Sequence, residues 1–165
     1  MKRIVLAGGC FWGVEAYFQQ LKGVSKTRVG YANGNFANPK YEDLLAHKAT
    51  HAEAVDITYD ENDISLDTLL SHMFRFIDPT ILDRQGHDIG HQYRTGVYYV
   101  DESDLPVIKS FMSKQQPFYK KPIVVEVLPL QGFYDAEEYH QDYLLKNPFG
   151  YCHVDLRLIK PGEKK

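Results

Sequence analysis

Near its amino terminus the chain runs from a short apolar strand through two glycines into a cysteine at which a helix begins, and this junction most limits what it can fold into. Residues 2–6 read as a buried strand and Gly8 and Gly9 as a tight turn. Phe11, Val14, Phe18 and Leu21 form the apolar stripe of a helix running to Lys22 and closed by Gly23. First-turn N–H groups lack intrahelical partners and, with the macrodipole, favour negative charge. A thiol there is expected to titrate below the roughly 8.5 of a free cysteine, which makes Cys10 a candidate nucleophile. Free cysteine is also among the most buried residue types, so a small inert core side chain is the competing reading.

Further strands are read at Val24–Tyr31, Ala52–Tyr59, Thr95–Val100 and Ile123–Leu128. Between them fall a turn-rich loop over residues 32–39, a short helical piece at Tyr41–His47, and a helix capped by Ser65 that reaches Phe76. A polar segment from Asp78 to Tyr93 has the character of a functional loop. Asp101 or Ser103 caps a helix to Gln116, a last helix covers Ala136–Leu145, and coil follows from Asn147. This order, without internal repeats, predicts an α+β fold: a two-layer sandwich of helices on one mixed sheet, with long loops and a C-terminal coil. The 165 residues suit a single domain whose core needs neither disulfide nor metal, and the polar residues 160–165 are expected to fray.

A net charge of −3 provides no general basic field, which argues against nucleic acid or an anionic membrane as a partner. No apolar run approaches the ~20 residues of a membrane span, and Ile4–Ala7 is too short for a signal-peptide core, so a cytoplasmic location is expected. The two cysteines, Cys10 and Cys152, make no secreted disulfide framework; they are either two inert thiols or a working pair.

Glu53 shares a face of its strand with Val55, Ile57 and Tyr59 by two-residue alternation. If that face is buried, desolvation keeps the carboxyl protonated and able to donate near neutral pH; if Glu53 sits at the strand mouth, it is solvated. The segment Asp83–Arg94 packs donors, acceptors and two glycines ahead of a strand. The pairs His47/His51 and His87/His91 have i, i+4 spacing, but no His-Glu-x-x-His string occurs and Gly90 disfavours a helix, so surface histidines are the simpler account and no metal is expected. Trp12 lies off the helix stripe, where it can face the cysteine, whereas Phe11 lies on it. Tyr31, Tyr41 and Tyr93 fall in loops or at element ends, and twelve tyrosines suit a cleft with polar tips. Cys152, between Gly150 and His153, is either a buried coil residue or a thiol on a movable segment.

Gly9-Cys10-Phe11-Trp12, Gly30-Tyr31-Ala32-Asn33-Gly34, His51-Ala52-Glu53-Ala54-Val55, Asp78-Pro79-Thr80, Asp83-Arg84-Gln85-Gly86, Asp88, Gln92-Tyr93-Arg94 and Gly150-Tyr151-Cys152 occur in this order over nearly the whole chain. Together they resemble the type A peptide methionine sulfoxide reductases. The resemblance implies a ferredoxin-like core and thiol-dependent reduction of methionine (S)-sulfoxide, in oxidised proteins, peptides or free, with no metal or organic cofactor. It implies that Cys10 is the nucleophile, Glu53 the acid, and Phe11 and Trp12 the seat of the substrate methyl group. Tyr41, Asp88 and Tyr93 match positions that hold the sulfoxide oxygen and its water network. Cys152 matches the resolving cysteine, whose disulfide with Cys10 thioredoxin would reduce; a monomer is expected.

Two positions depart from the family pattern. Asn33 replaces a usual glycine at little cost, since asparagine tolerates positive φ, and the β-branched Thr50 implies a changed backbone path before Glu53. A thiol-based peroxide sensor and a methionine-binding module are the competing classes.

Overall fold

The computed structural model describes residues 1–165. Strands β1 (Lys2–Gly8), β2 (Val24–Ala32), β3 (Ala52–Tyr59), β6 (Thr95–Tyr99), β7 (Glu126–Pro129) and β8 (Phe133–Asp135) form a six-stranded sheet in the order β7-β6-β1-β3-β2-β8. Every neighbouring pair is antiparallel except β6 and β7, so the sheet is mixed, as expected. A separate two-stranded hairpin, β4 (Arg84–Gln85) with β5 (Asp88–Ile89), lies within the polar segment that the sequence marked as a loop. Its turn contains Gly86 at φ +60°.

Strand alternation divides the core. Ile4, Leu6, Val55 and Ile57 belong to a large apolar cluster with Phe11, Val14 and Phe18 of α1 (Phe11–Phe18), Leu69, Leu70 and Met73 of α3 (Leu66–Phe76), and Ile108 and Phe111 of α4 (Leu105–Gln115). Val5, Ala7, Ala32, Ala52, Ala54 and Tyr98 form a smaller cluster on the other face, covered by Leu130 and Phe133. The helices therefore stack on one face of the sheet, giving two layers. Each large apolar side chain buried in this way stabilises the fold by about 1.5–3 kcal/mol. No helix is long and apolar enough to cross a membrane.

Two C-terminal expectations are corrected. The helix read over Ala136–Leu145 is replaced by a 3-10 turn at Glu138–His140 and α5 (Tyr143–Lys146), with Asp142 at φ 52° between the two. Buried polar groups from elsewhere in the fold interrupt it. The Gln141 side chain accepts from the Val29 N–H and donates to the Val29 and Ala136 carbonyls, and the Asp142 N–H donates to Glu15 Oε1.

Residues 160–165 do not fray. Glu163 accepts two hydrogen bonds from the Arg75 guanidinium at 2.8 and 2.7 Å, and its carbonyl accepts the Lys22 N–H. A bridge between Leu21 and Lys164 adds to this clamp, which also explains why α1 ends at Phe18 and not at Lys22. Backbone pairing and an ion pair tie down a tail that has little apolar surface to bury.

The Arg75 guanidinium lowers the Glu163 carboxyl to about 2. Since the folded-state value lies below the unfolded one, this stabilisation is present above the unfolded carboxylate pKa of roughly 4.3 and is lost as the pH falls below it. Glu163→Gln is expected to lower stability by roughly 0.5–1 kcal/mol at neutral pH, read from urea denaturation, and the difference should shrink on acidification to about pH 3.

Candidate active site

The β1–α1 junction forms the centre of the site. Gly9 turns at φ +95°, where a Cβ would lie 2.8 Å from His153 Nε2 and 2.9 Å from Gln85 Cβ, so a side chain is excluded twice over. Cys10 follows as the N-cap of α1 and is buried. Phe11 packs on Tyr31 and His140, with ring centroids 5.8 and 5.2 Å apart. Trp12, off the stripe as read from the sequence, donates from Nε1 to His140 Nδ1 at 3.0 Å and stacks on Tyr143 at 3.7 Å.

Glu53 reaches the same turn from β3. It is 1% exposed, and its Oε1 accepts the Phe11 N–H at 3.2 Å while its Oε2 is buried with no partner. The solvated reading of Glu53 is therefore set aside. Burial pushes the carboxyl up to about 8; the Phe11 hydrogen bond opposes the shift and the nearby Asp88 charge adds to it.

The expected low thiol pKa is corrected. Burial pushes the Cys10 thiol up, the Glu53 charge pushes it further, and the Trp12 N–H offsets only part of this. Desolvation of a sulfur sealed beside a carboxyl outweighs the helix terminus on which the sequence argument relied.

The other predicted residues approach from separate elements. Tyr41 begins α2 (Tyr41–Leu45), Tyr93 ends a 3-10 turn at His91–Tyr93, and Asp88 lies in β5. Burial together with the Glu53 charge raises both phenols, and the Tyr93 side chain offsets part of the shift at Tyr41. Asp88 Oδ2 accepts from Tyr151 Oη at 2.8 Å, which brings the C-terminal coil over the site. Cys152 is half-buried and free; its Sγ donates to the Val154 carbonyl at 3.1 Å and lies 3.1 Å from the Cβ position that Gly13 lacks. Gly13 is one helical turn beyond Cys10.

Sequence reasoning did not single out Glu137, whose carboxylate accepts from Tyr31 Oη at 2.8 Å and from the Tyr41 N–H at 3.1 Å, and so aligns α2 with β2. Nor did it assign His140, the hydrogen-bond partner of Trp12. Both belong to the segment misread as one helix, which concealed the direction in which they point. The spaced histidines do not converge: His51 Nε2 is engaged with the Phe36 carbonyl at 2.9 Å and His91 Nδ1 with Asp83 at 2.9 Å. Asn33 adopts φ 53° and bridges to Pro129 and Gln131, so the first departure is accommodated as expected. The Thr50 N–H donates to Asn35 Oδ1 in an exposed loop.

Residues 2–164 match the peptide methionine sulfoxide reductase family. A curated relative from Clostridium acetobutylicum, a peptide methionine sulfoxide reductase MsrA, is 57% identical over 160 residues, 97% of this chain and 99% of its own. The crystal structure of Mxr1 from Saccharomyces cerevisiae in reduced form superposes with a TM-score of 0.87 at 36% identity, covering 93% of this chain and 91% of that one. Mxr1 in complex with Trx2 superposes with a TM-score of 0.62 at 30% identity, over 86% and 84% of the two chains.

Once ionised above about pH 8, Glu53 is expected to oppose loss of the Cys10 proton. In a Cys152→Ser background, Glu53→Gln is expected to let Cys10 ionise at lower pH, read from thiolate absorbance. An unchanged titration would assign the whole shift to burial.

Proposed function

The chain belongs to the peptide methionine sulfoxide reductase family, and we propose that it reduces the S epimer of methionine sulfoxide with Cys10 as nucleophile and Glu53 as acid. The observation that carries this reading is the Glu53 carboxyl: buried, held by the Phe11 N–H beside Cys10, and left with one unpartnered oxygen. Its pKa of about 8 keeps it protonated at neutral pH, the form needed to give a proton to a sulfoxide oxygen.

In this reading the methyl group of the substrate rests against Phe11 and Trp12, and its oxygen points toward Glu53, Tyr41, Tyr93 and the waters that Asp88 holds. Protonation of the oxygen makes the sulfur electrophilic. The carboxylate left on Glu53 disfavours a free Cys10 thiolate beside it, so Cys10 attacks as it gives up its thiol proton, and the Trp12 N–H offsets part of the developing charge. The Cys10 thiol proton returns to Glu53, the oxygen passes to Cys10 as a sulfenic acid, and methionine leaves. Cys152 then displaces the hydroxyl to form a Cys10–Cys152 disulfide. The seat of Cys152 against Gly13 supports this step by holding the second sulfur one turn from the first.

A thioredoxin-type dithiol, at about −270 mV, is the proposed reductant of that disulfide, and the solved complex of a relative with Trx2 supports it. The reading includes free and protein-bound substrate, a cytoplasmic monomer, and residues 1–165 as one domain without metal or organic cofactor. It also takes the β6-β1-β3-β2 order, with α1 and α3 as crossovers, to be a ferredoxin-like core.

Turnover of separated R and S epimers of a methionine sulfoxide peptide with dithiothreitol tests the assignment. S-only turnover that is lost in Cys10→Ser is expected, and turnover of neither epimer, or of R alone, would reject it. Glu53→Gln should lower the first-step rate by about 10²–10⁴-fold. Because the acid form is required, wild-type methionine release should fall as the pH rises through about 8, and the variant should lose that dependence. Cys152→Ser should be limited to a single turnover with thioredoxin.

A further inference from the structure

The C-terminal coil carries a histidine that the chemistry above does not use. His153 is inserted into the turn that starts α1, with Nε2 2.9 Å from the Gly8 carbonyl oxygen. A carbonyl oxygen only accepts, so Nε2 carries the ring proton and Nδ1 keeps the lone pair. That Nδ1 is buried and has no hydrogen-bond partner. It faces the bare flank of α1 at Gly13, whose absent Cβ would have Cys152 Sγ at 3.1 Å and His153 Nδ1 at 3.2 Å. A basic nitrogen and a thiol therefore share one small patch, within reach of a single bridging water or a rotation of the Cys152 side chain. Burying an unpaired acceptor costs about 1–3 kcal/mol, which a side chain retained only for the Gly8 contact has no need to incur.

We propose that His153 is the general base of the resolving step, taking the Cys152 thiol proton at Nδ1 as Cys152 attacks the Cys10 sulfenic acid. The inference rests on the resolving role proposed for Cys152. A sulfur–sulfur bond forms, the Cys10 sulfur–oxygen bond breaks, and the departing hydroxyl takes the proton from Nδ1 and leaves as water. Cys152 is oxidised and the Cys10 sulfur is reduced, so no further oxidant is required.

Without a base the step would be slow, because burial pushes the Cys152 thiol up and the Asp155 charge adds to the shift. Burial likewise holds the His153 ring below its ordinary value and so in the neutral form; the Gly8 contact and Asp88 of β5 act in the opposite sense. The other titratable groups around the ring are Cys152 on its own coil and Cys10 beyond Gly9, while Gln85 of β4 is neutral.

The test uses the full chain and one equivalent of a methionine (S)-sulfoxide peptide without reductant, quenched in time between about pH 6 and 9. Mass spectrometry follows methionine released and the Cys10–Cys152 crosslink, so that crosslinking is referred to the first step in every variant. Wild type should crosslink at a rate nearly independent of pH above the histidine titration. His153→Gln, which keeps a donor for the Gly8 carbonyl, should crosslink at least about 10-fold more slowly at neutral pH, its rate rising about tenfold per pH unit as thiolate becomes limiting. A merely structural role would not create that slope. An unchanged ratio and profile in His153→Gln, or a tenfold rise per unit in wild type itself, overturns the His153 inference alone. Release of methionine by wild type with no crosslink overturns both the resolving role and this one.

Discussion

A carboxyl buried where β3 meets the first turn of α1 sets the electrostatics of the candidate site. Glu53 ties the two elements through the Phe11 N–H, and its desolvation decides which protonation states neighbouring groups can adopt. An ionised carboxylate there would cost several kcal/mol without a charged partner, so the neutral acid is the resting form. In the proposed mechanism the same burial keeps Cys10 protonated until the carboxyl has a sulfoxide oxygen to which it can give its proton. On that proposal the nucleophile is matched to its substrate, and not held as a standing thiolate open to indiscriminate oxidation.

The C-terminal coil completes this site from outside the sheet. It is anchored at Tyr151 on Asp88, at His153 on the Gly8 carbonyl, and at Glu163 on Arg75. Gly9 and Gly13 provide the complementary shape, since a Cβ at either position would press on the side chains of residues 152–154. Cys152 is thereby presented to the helix turn that bears Cys10 by a coil that Val154 and Ile159 also anchor in the apolar core. Cysteine spacing in the sequence carries no such information, because the two residues are 142 positions apart and only the path of the coil brings Cys152 to the helix that Cys10 caps.

Much of the architecture was legible in local patterns. The β3 bounds follow from alternation and the α3 bounds from the Ser65 cap, whose side chain accepts the Thr68 N–H in the structure. Around Gln141 the local pattern failed: helical propensity over residues 136–145 was overridden by buried hydrogen bonds to Val29 and Glu15, which no window of sequence contains. Glu137 and His140 were lost with that misreading. The tail was misjudged for a related reason, since its stability lies in backbone pairing and an ion pair, not in apolar side chains.

The amino-acid sequence by itself determined most of the elements as far as α4, the glycine turn that admits close backbone approach to Cys10, and the residue types that a sulfoxide reductase needs. Those depend on periodicity, caps and turn residues, which act over a few positions. The tertiary structure decided the protonation of those residues and which of them meet. The Cys10 thiol is raised where a helix terminus alone would lower it, Glu53 is sealed from water, and His153 and Cys152 converge on Gly13. Desolvation and long-range contact are properties of the packed chain, and they are set by what the fold excludes from water.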